Sequence, residues 1–503
     1  MGIYLIAHDL GTSGDKASLF SSEGKLVSSC TMPYGVHFFG ENCAEQDPED
    51  WWKAVVKATR RILDGVNPGE IAAVSFSSQM QACVAVDREG HALRPALIWA
   101  DMRAVVQEEQ LRDRIGEEKM NRITGHRPSA AYSLEKLMWI RDNEPEIYEK
   151  TWKMLLAKDY IICRLTGEFV TDYSEASGTD AFDLRNQEWS EEILSAATID
   201  RGKFPELHAS TDVIGSLRED EAGILGLSPG TAVVCGGGDG PCSALGAGSI
   251  RDGETFLCFG TSAWIAQTSD DVFLDQGRKL ICFGHVLPGK CLPCGTMQAA
   301  GSSYEYVRKL FFGDQKTVNG RSVYKEMERQ ILQSPPGADG LIFLPYLLGE
   351  RSPRWNPDAS GCFLGIRPEH GRGDYIRAVL EGIAMNLRII LSAQSEKGKV
   401  SELTLTGGGA RGDVTAQILA DVLGVRLNRL DNVEVSTSVA AAVIAGVGAG
   451  VFPDFAVVGR FVKTEKVFVP DPSLQGLYDR EQELFEEGYQ GLRGYYRMNR
   501  DKQ

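Results

Sequence analysis

Long apolar runs are missing from this 503-residue chain. No stretch approaches the ~20 consecutive apolar residues of a membrane-spanning helix, so no membrane partner is expected. The opening MGIYLIAHDLG has no basic leader, and its apolar stretch stops at His8 and Asp9, which argues against a secretory signal. Position six is not Ser or Thr, so the myristoylation pattern is absent too. Positive charge is in deficit: 53 Lys and Arg face 69 Asp and Glu, a formal net charge of -16. A groove that tracks a phosphate backbone needs clustered cations, so nucleic acid is excluded as an expected partner. The 11 cysteines are odd in number and scattered, which speaks against a disulfide frame and for reduced thiols in the cytoplasm. There is also no G-x-x-x-x-G-K-[ST] phosphate loop.

What is present is ordinary globular composition, 43% hydrophobic and 24% charged, in a chain longer than one hydrophobic core usually serves. Two domains are therefore expected. Residues 3 to 30 read as a meander of strands broken by LGTSG and SSEGK, followed by the helix PEDWWKAVVKATRRILDGV and the buried strand IAAVSFSS. A charged helical region runs from about 104 to 165. Near residue 255 the opening pattern recurs: TFLCFGTSAWIAQTS is again strand, Gly-Thr-Ser turn and strand, half a chain later. Alternating helices and strands then continue to the strand VRLNRL, an order that favours a layered α/β architecture in two similar lobes, with the boundary at residues 246 to 254.

Four glycine turns concentrate the chemistry: DLGTSG, GGGDG, FGTSA and TGGGARG. Such turns at strand ends aim successive N–H groups at one point and make nests for anionic oxygens, phosphate above all. Thr and Ser hydroxyls in two of them add neutral donors. Asp9, just before the first turn, is repelled by bound phosphate unless a cation intervenes, and reads as a magnesium partner. Asp239, in GGGDG, either shares that metal or accepts a proton from the attacking group in phosphoryl transfer, the favoured reading; against both stands a turn aspartate that bonds its own backbone. Two competing readings attach to other stretches. GGGARG, Gly407 to Gly412, satisfies G-x-G-x-x-G with Asp431 about twenty residues on, the dinucleotide pattern of an NAD-dependent dehydrogenase. Cys282, His285, Cys291 and Cys294 have spacings a zinc site uses, against which stands a plain strand-turn-strand reading around PGK.

The ordered segments DLGTSGDK, AEQDPEDWW, SSQMQ, LIWADMRA, KLMWIRDN, KDYIICRLTGEF, GGGDG, FGTSA, FLPYLLGERSPRWNP, GCFLGI, RAVLEGIAMNLR and TGGGARGD resemble the signatures of the FGGY carbohydrate kinases, with the xylulokinase branch nearest. The resemblance runs from residue 3 to about 450. It implies two ribonuclease H-like lobes of the actin, hexokinase and Hsp70 type around a deep cleft. Residues 1–246 would form a sugar-binding lobe, and residues 247–503 an ATP-binding lobe with a helical tail. It implies ATP and Mg2+ as cofactors, Asp239 as base and Asp9 as the metal-linked acid. Gly11, Thr12, Ser13, Lys16, Gly260 and Thr261 would contact phosphates, and Gly408 and Gly409 the nucleotide. Met80, Gln81, Asp101, Arg103, Asp239 and Gly240 would surround a small sugar or polyol, xylulose first among them. The expected partner is that small substrate, with a homodimer left open.

The departures cluster at the sugar end. QMQA stands where the family has QMHG, GGGDG where it has GGGDN, and Cys43 where it has tryptophan. His8 replaces a usual glycine. Losing a fixed hydrogen-bond partner shifts specificity by orders of magnitude, so the reaction type follows from the resemblance and the sugar's identity does not. A nucleotide-gated actin-like or Hsp70-like regulatory protein shares the phosphate turns and is the alternative, although SSQMQ and LIWADMRA argue for a sugar.

Overall fold

Three strands, β1 (Tyr4–Leu10), β2 (Gly14–Ser21) and β3 (Leu26–Pro33), form the expected antiparallel meander. The computed structural model describes residues 2–318, 320–431 and 435–500. β4 (Ile71–Ser78) is buried along nearly its whole length and lies parallel to β1. β5 (Val213–Ser216), β6 (Ala232–Val234) and the two-residue β7 (Gly237–Gly238) complete a seven-stranded sheet of order β5-β6-β4-β1-β2-β3, with β7 beside β4.

The second sheet repeats this plan. β8 (Thr255–Phe259) and β9 (Ala263–Gln267) form a hairpin across FGTS, and β10 (Ile281–Gly284) and β11 (Cys291–Met297) extend it antiparallel. β12 (Glu402–Thr406) and β13 (Arg426–Leu430) run parallel to β8, and β14 (Thr464–Phe468) closes the order β10-β11-β9-β8-β12-β13-β14. In both sheets a glycine hairpin precedes a parallel crossover, so each sheet carries its Gly-Thr-Ser turn at the same end.

Helices cover both sheets. α1 (Pro48–Ile62) starts at Asp47, whose side chain accepts the Glu49 N–H, with proline in its first turn where no N–H is missed. Trp51, Val55, Ala58 and Ile62 recur at helical spacing and sink into the first sheet's core. α2 (Asp239–Gly246) follows β7 directly, α3 (Gly301–Phe312) follows β11, and α4 (Arg372–Gln394) and α5 (Asp413–Leu423) build the second core. α6 (Ser436–Gly448) is the exception to a simple division by sequence. Its apolar run Val439 to Ala445 packs on Leu5, Ala7, Ala73 and Val234 of the first sheet. A methyl group on Gly246 would sit 1.9 Å from the Ser436 carbonyl oxygen, so only glycine lets α2 and α6 cross this closely. α7 (Gln475–Arg500) closes the described chain.

The segment 281–297 is the antiparallel hairpin read from the sequence. Cys282 pairs with Pro293 and Gly284 with Cys291, so Cys282 and Cys291 share one face while Cys294 lies on the other. That alternation splits the three cysteines of the zinc candidates between two packing clusters. Among the described residues no cluster of three or more metal-ligating groups occurs, and no helix is long and apolar enough to cross a membrane. The dinucleotide expectation also meets a different topology. GGGARG does sit between a strand and a helix, but that sheet joins antiparallel hairpins to three parallel strands, whereas a dinucleotide fold needs a mostly parallel sheet.

Candidate active site

Alternation along β1 decides which side chains reach the space between the sheets. Ile6, His8 and Leu10 face α1, while Leu5, Ala7 and Asp9 face α6. Asp9 therefore emerges beside the N-terminal end of α6, where its Oδ2 accepts the Thr437 hydroxyl at 2.6 Å. Burial raises the Asp9 pKa, opposed by the Thr437 and Ser77 hydroxyls. Lys16 stands opposite Asp9 on β2 and pulls in the same direction as those hydroxyls. His8 ends up in the core: its Nδ1 lies 2.9 Å from Asp15 Oδ2, its Nε2 lies 3.2 Å from Thr59 Oγ1, and its ring stacks on Phe76. The residue that replaces the family glycine thus packs against α1, on the face of β1 opposite Asp9.

The DLGTS turn is fastened from several sides. The Gly11 N–H closes the turn onto the carbonyls of Asp9 and Gly14, Tyr34 donates to the Gly11 carbonyl at 2.6 Å, and Gln46 donates to the Thr12 carbonyl at 2.8 Å. The Trp99 indole donates to Thr12 Oγ1 at 2.8 Å, while Ser13 is exposed. In FGTS the Gly260 N–H likewise turns back, onto the Ser262 carbonyl, and Thr261 is exposed. The glycine amides serve the turns themselves, and the following residues present the outward surface. At the third turn Gly408 and Gly409 are exposed, and Arg429 holds the Ala410 and Arg411 carbonyls from behind at 3.3 and 3.0 Å.

Packing accounts for the glycine run before Asp239. Gly236 has φ of 76°, the left-handed region, with its α-carbon pressed on the β4 backbone: an added methyl group would lie 2.2 Å from the Phe76 oxygen. On Gly237 it would strike Val286 Cγ1 at 2.4 Å, and on Gly238 Met80 Cγ at 2.7 Å and Sδ at 2.8 Å. The chain must pass between β4, a loop of the second lobe and Met80 to deliver Asp239 at the first turn of α2. Asp239 is half-buried, and its Oδ1 accepts its neighbour Gly240's N–H at 2.7 Å. Burial first and the Asp9 charge second push its pKa up to about 7. A carboxyl poised there exchanges protons near neutrality, the condition for general-base work.

A buried network holds this strand end, and sequence reasoning did not foresee it. The Gly238 N–H donates to Ser174 Oγ at 3.0 Å, and Ser174 and Ser210 both donate to Asp172 Oδ2. Lys158 spans Asp159 and Asp172 at 2.8 and 3.0 Å with all three side chains fully buried. Glu175, equally buried, accepts from Ser78 at 2.5 Å, two residues before Met80. The signal was on the page: KDYIICRLTGEFVTDYS carries charges at positions that periodicity places indoors, and buried charges persist only when paired.

At the end expected to hold a sugar, Met80, Gly238 and Gly240 come together around Asp239, with Trp264 of the second sheet near Gly240. Gln81 has φ of 67°, uncommon without a glycine, and its carbonyl accepts from Lys136 Nζ at 2.8 Å. That buried ammonium also ties the Ile98 and Ala131 carbonyls, and burial lowers its pKa to about 7. Asp101 is fully buried and its Oδ2 accepts the Ala44 N–H at 2.7 Å and the Arg103 guanidinium at 2.7 Å. Arg103 in turn pairs with Glu45 and lies over Trp139. Both residues brace the strand Cys43–Gln46, where Cys43 is half-buried. Thr437, Trp264 and Trp99 also border Asp9, Gly240 and Thr12, and the sequence reading had given none of them a role.

Comparison with known proteins converges on one family. The N-terminal domain of the FGGY family of carbohydrate kinases matches residues 4–246 and its C-terminal domain matches residues 256–449. A xylulose kinase of Lactococcus lactis subsp. lactis is 32% identical over 497 residues, 97% of this chain and 96% of the relative. Among solved structures, a gluconate kinase from Lactobacillus acidophilus superposes with a TM-score of 0.92 at 28% identity, covering 98% of both chains. A ligand-bound xylulose kinase from the same organism gives 0.92 and 28%, covering 98% of this chain and 99% of its own. The two-lobed, actin and hexokinase-like α/β class read from the sequence is the observed one.

Proposed function

The chain belongs to the FGGY family of carbohydrate kinases, and from that premise we propose that it transfers the terminal phosphate of ATP to a primary hydroxyl of a small ketose or polyol. Family membership sets aside both the dehydrogenase and the regulatory-protein alternatives. Xylulose is the first candidate, on the similarity to xylulose kinases; gluconate is the second, on the equally close gluconate kinase structure. Residues 1–246 would supply the acceptor side and residues 247–503 the nucleotide side.

Asp239 takes the acceptor's proton as the oxygen attacks phosphorus. The observation that carries this role is its placement: a half-buried carboxyl at the start of α2, pushed up to about 7, beside a second carboxyl that faces the same space. An acid whose charge raises the pKa of a neighbouring carboxyl suits a divalent cation, because Mg2+ takes one or two carboxylates and completes its shell with water and phosphate oxygens. Asp9 is the residue to hold it, and the ion's contribution would be to neutralise phosphate charge. Thr12, Ser13 and Lys16 on one side and Thr261 with its Gly260 turn on the other would grip the phosphates, with Gly11 shaping the first turn. The open faces of Gly408 and Gly409 would receive the nucleoside. Met80, Gln81 and Gly240 would line the acceptor pocket, with Asp101 and Arg103 as its outer brace. Most of the acceleration would come from positioning and charge neutralisation, since phosphoryl transfer asks little covalent work of the protein. The unpaired thiols of all eleven cysteines agree with a cytoplasmic location.

The test is a coupled ADP-release assay on xylulose, gluconate, glycerol and related polyols, with Asp239→Asn as control. ATP-dependent phosphorylation of one acceptor, lost in the variant, is the expected result. ATP binding without transfer to any acceptor refutes the proposal.

A further inference from the structure

The segment GERSPRWNP matched the family but had no chemical role in the reading of the sequence, and the structure gives part of it one. Glu350 is 3% exposed, deep beside α4. Its Oε1 accepts the Gln298 N–H at 2.8 Å and the Arg351 N–H at 2.9 Å, and its Oε2 accepts the Asn386 amide of α4 at 2.9 Å. Every one of these donors approaches from a different element, so the carboxylate is a fixed knot.

The Gln298 end matters most. Gln298 opens the short link between β11 and α3, and that link grips the second Gly-Thr-Ser turn. The N–H groups of Ala300 and Ser302 donate to the Thr261 carbonyl at 3.1 and 3.0 Å, the Gly301 N–H donates to the Gly260 carbonyl at 3.0 Å, and the Ser302 hydroxyl reaches the Thr261 carbonyl at 3.2 Å. The other end runs outward. Asn386 Oδ1 accepts from the Tyr346 hydroxyl at 3.2 Å, Arg354 Nε donates to that hydroxyl at 3.0 Å, and Arg354 forks onto Glu486 of α7 at 2.9 and 2.8 Å. A chain of directed bonds thus joins the C-terminal helix to the carbonyls of Gly260 and Thr261.

We propose that Glu350 is a positioning residue for nucleotide binding: through the Gln298 N–H it sets the 298–302 link, and through that link it fixes the orientation of the Gly260–Thr261 turn toward the triphosphate. This rests on the reading of that turn as a phosphate grip. A buried carboxylate that merely stabilised the second lobe would lower the melting temperature and leave both Michaelis constants alone. A positioning role falls on one substrate only.

Glu350→Ala and Glu350→Gln are compared with the parent enzyme, well below each melting temperature, by steady-state kinetics, by Mg-ADP titration and by amide hydrogen exchange over residues 259–263 and 298–302. Glu350→Ala is expected to speed exchange in both segments and to raise KM for ATP roughly tenfold or more, the scale of a misplaced binding group, with KM for the acceptor unchanged. Glu350→Gln keeps an oxygen for the Gln298 N–H and should recover most of the ATP affinity. Asn386→Ala, which frees the other carboxylate oxygen, gives the same pattern in milder form and serves if Glu350→Ala does not fold. Unchanged exchange in the variant that folds, or equal losses for ATP and acceptor, overturns the proposal. Faster exchange in a protein whose parent form binds no Mg-ADP instead refutes the phosphate reading of the turn and leaves the structural link from Glu350 standing.

Discussion

Asp239→Asn should cripple the enzyme and stabilise its fold, and the two effects come from the same electrostatics. In the folded protein the Asp239 carboxyl is pushed from 3.8 up to about 7, by burial first and by Asp9 second. The sign follows from linkage: a carboxyl with a raised folded pKa binds its proton more tightly in the native state, so its favourable contribution is complete below pH 3.8 and is lost as pH rises to about 7. Each pH unit is worth about 1.4 kcal/mol, which sets a ceiling of ~4 kcal/mol; for a half-buried group roughly half of that is realistic. Asparagine has no proton to lose, so the variant avoids this destabilisation. Differential scanning calorimetry at pH 5 and pH 8, without nucleotide or metal, should show a gain concentrated at pH 8, about 4 to 8 °C if one lobe melts as a unit. Turnover should fall by ~10^2 to 10^4, the range for a positioned acid-base group. A stability gain over the parent no larger at pH 8 than at pH 5 refutes the electrostatic account, and undiminished turnover refutes the base assignment.

The other predictions address neighbouring parts of the site. Gly238→Ala puts a methyl group within 2.8 Å of Met80 and should cost about 1–3 kcal/mol by overpacking, together with a marked loss of kcat, read by thermal melts and steady-state assay. Gly240→Asn meets no such obstacle, because an added Cβ lies 3.8 Å from Met80 Sδ and 3.9 Å from Trp264. It should fold normally and change the ranking of acceptors in the polyol panel. Thr437→Val removes the hydroxyl that Asp9 accepts and should raise the Mg2+ requirement several-fold in a metal titration while ATP-independent stability stays within about 1 kcal/mol. His8→Leu strands the buried Asp15 carboxylate and should cost about 3–5 kcal/mol on melting with little change in either KM.

Much of the molecule was legible without coordinates. The meander, the turn-strand echo near residue 255 and the helices with periodic apolar faces depend on local rules: period two, period 3.6 and glycine at turns. Those rules are written residue by residue, and the structure follows them from β1 through β13. The family, and with it the two-lobed class, was legible for the same reason, since its motifs are short strings held in order. The placement of Asp9 and Asp239 at turn ends was legible as local punctuation.

What local pattern does not encode is which distant segments touch. Thr437 meets Asp9 across more than four hundred positions, α6 leaves its own half of the chain to cover β1 and β4, and Glu350 reaches the Gly260 turn through the amides of the 298–302 link. Asp101 and Arg103 look like polar ligands in a string and become a buried clasp only when the Cys43–Gln46 strand packs over them. His8 looks like a change at the metal and lies on the opposite face, because strand alternation turns adjacent side chains apart. The amino-acid order alone determined the elements, the family and the two candidate carboxylates. Tertiary packing alone decided which groups share one small volume, because burial, charge pairing and pKa depend on distance in space and not on position along the chain.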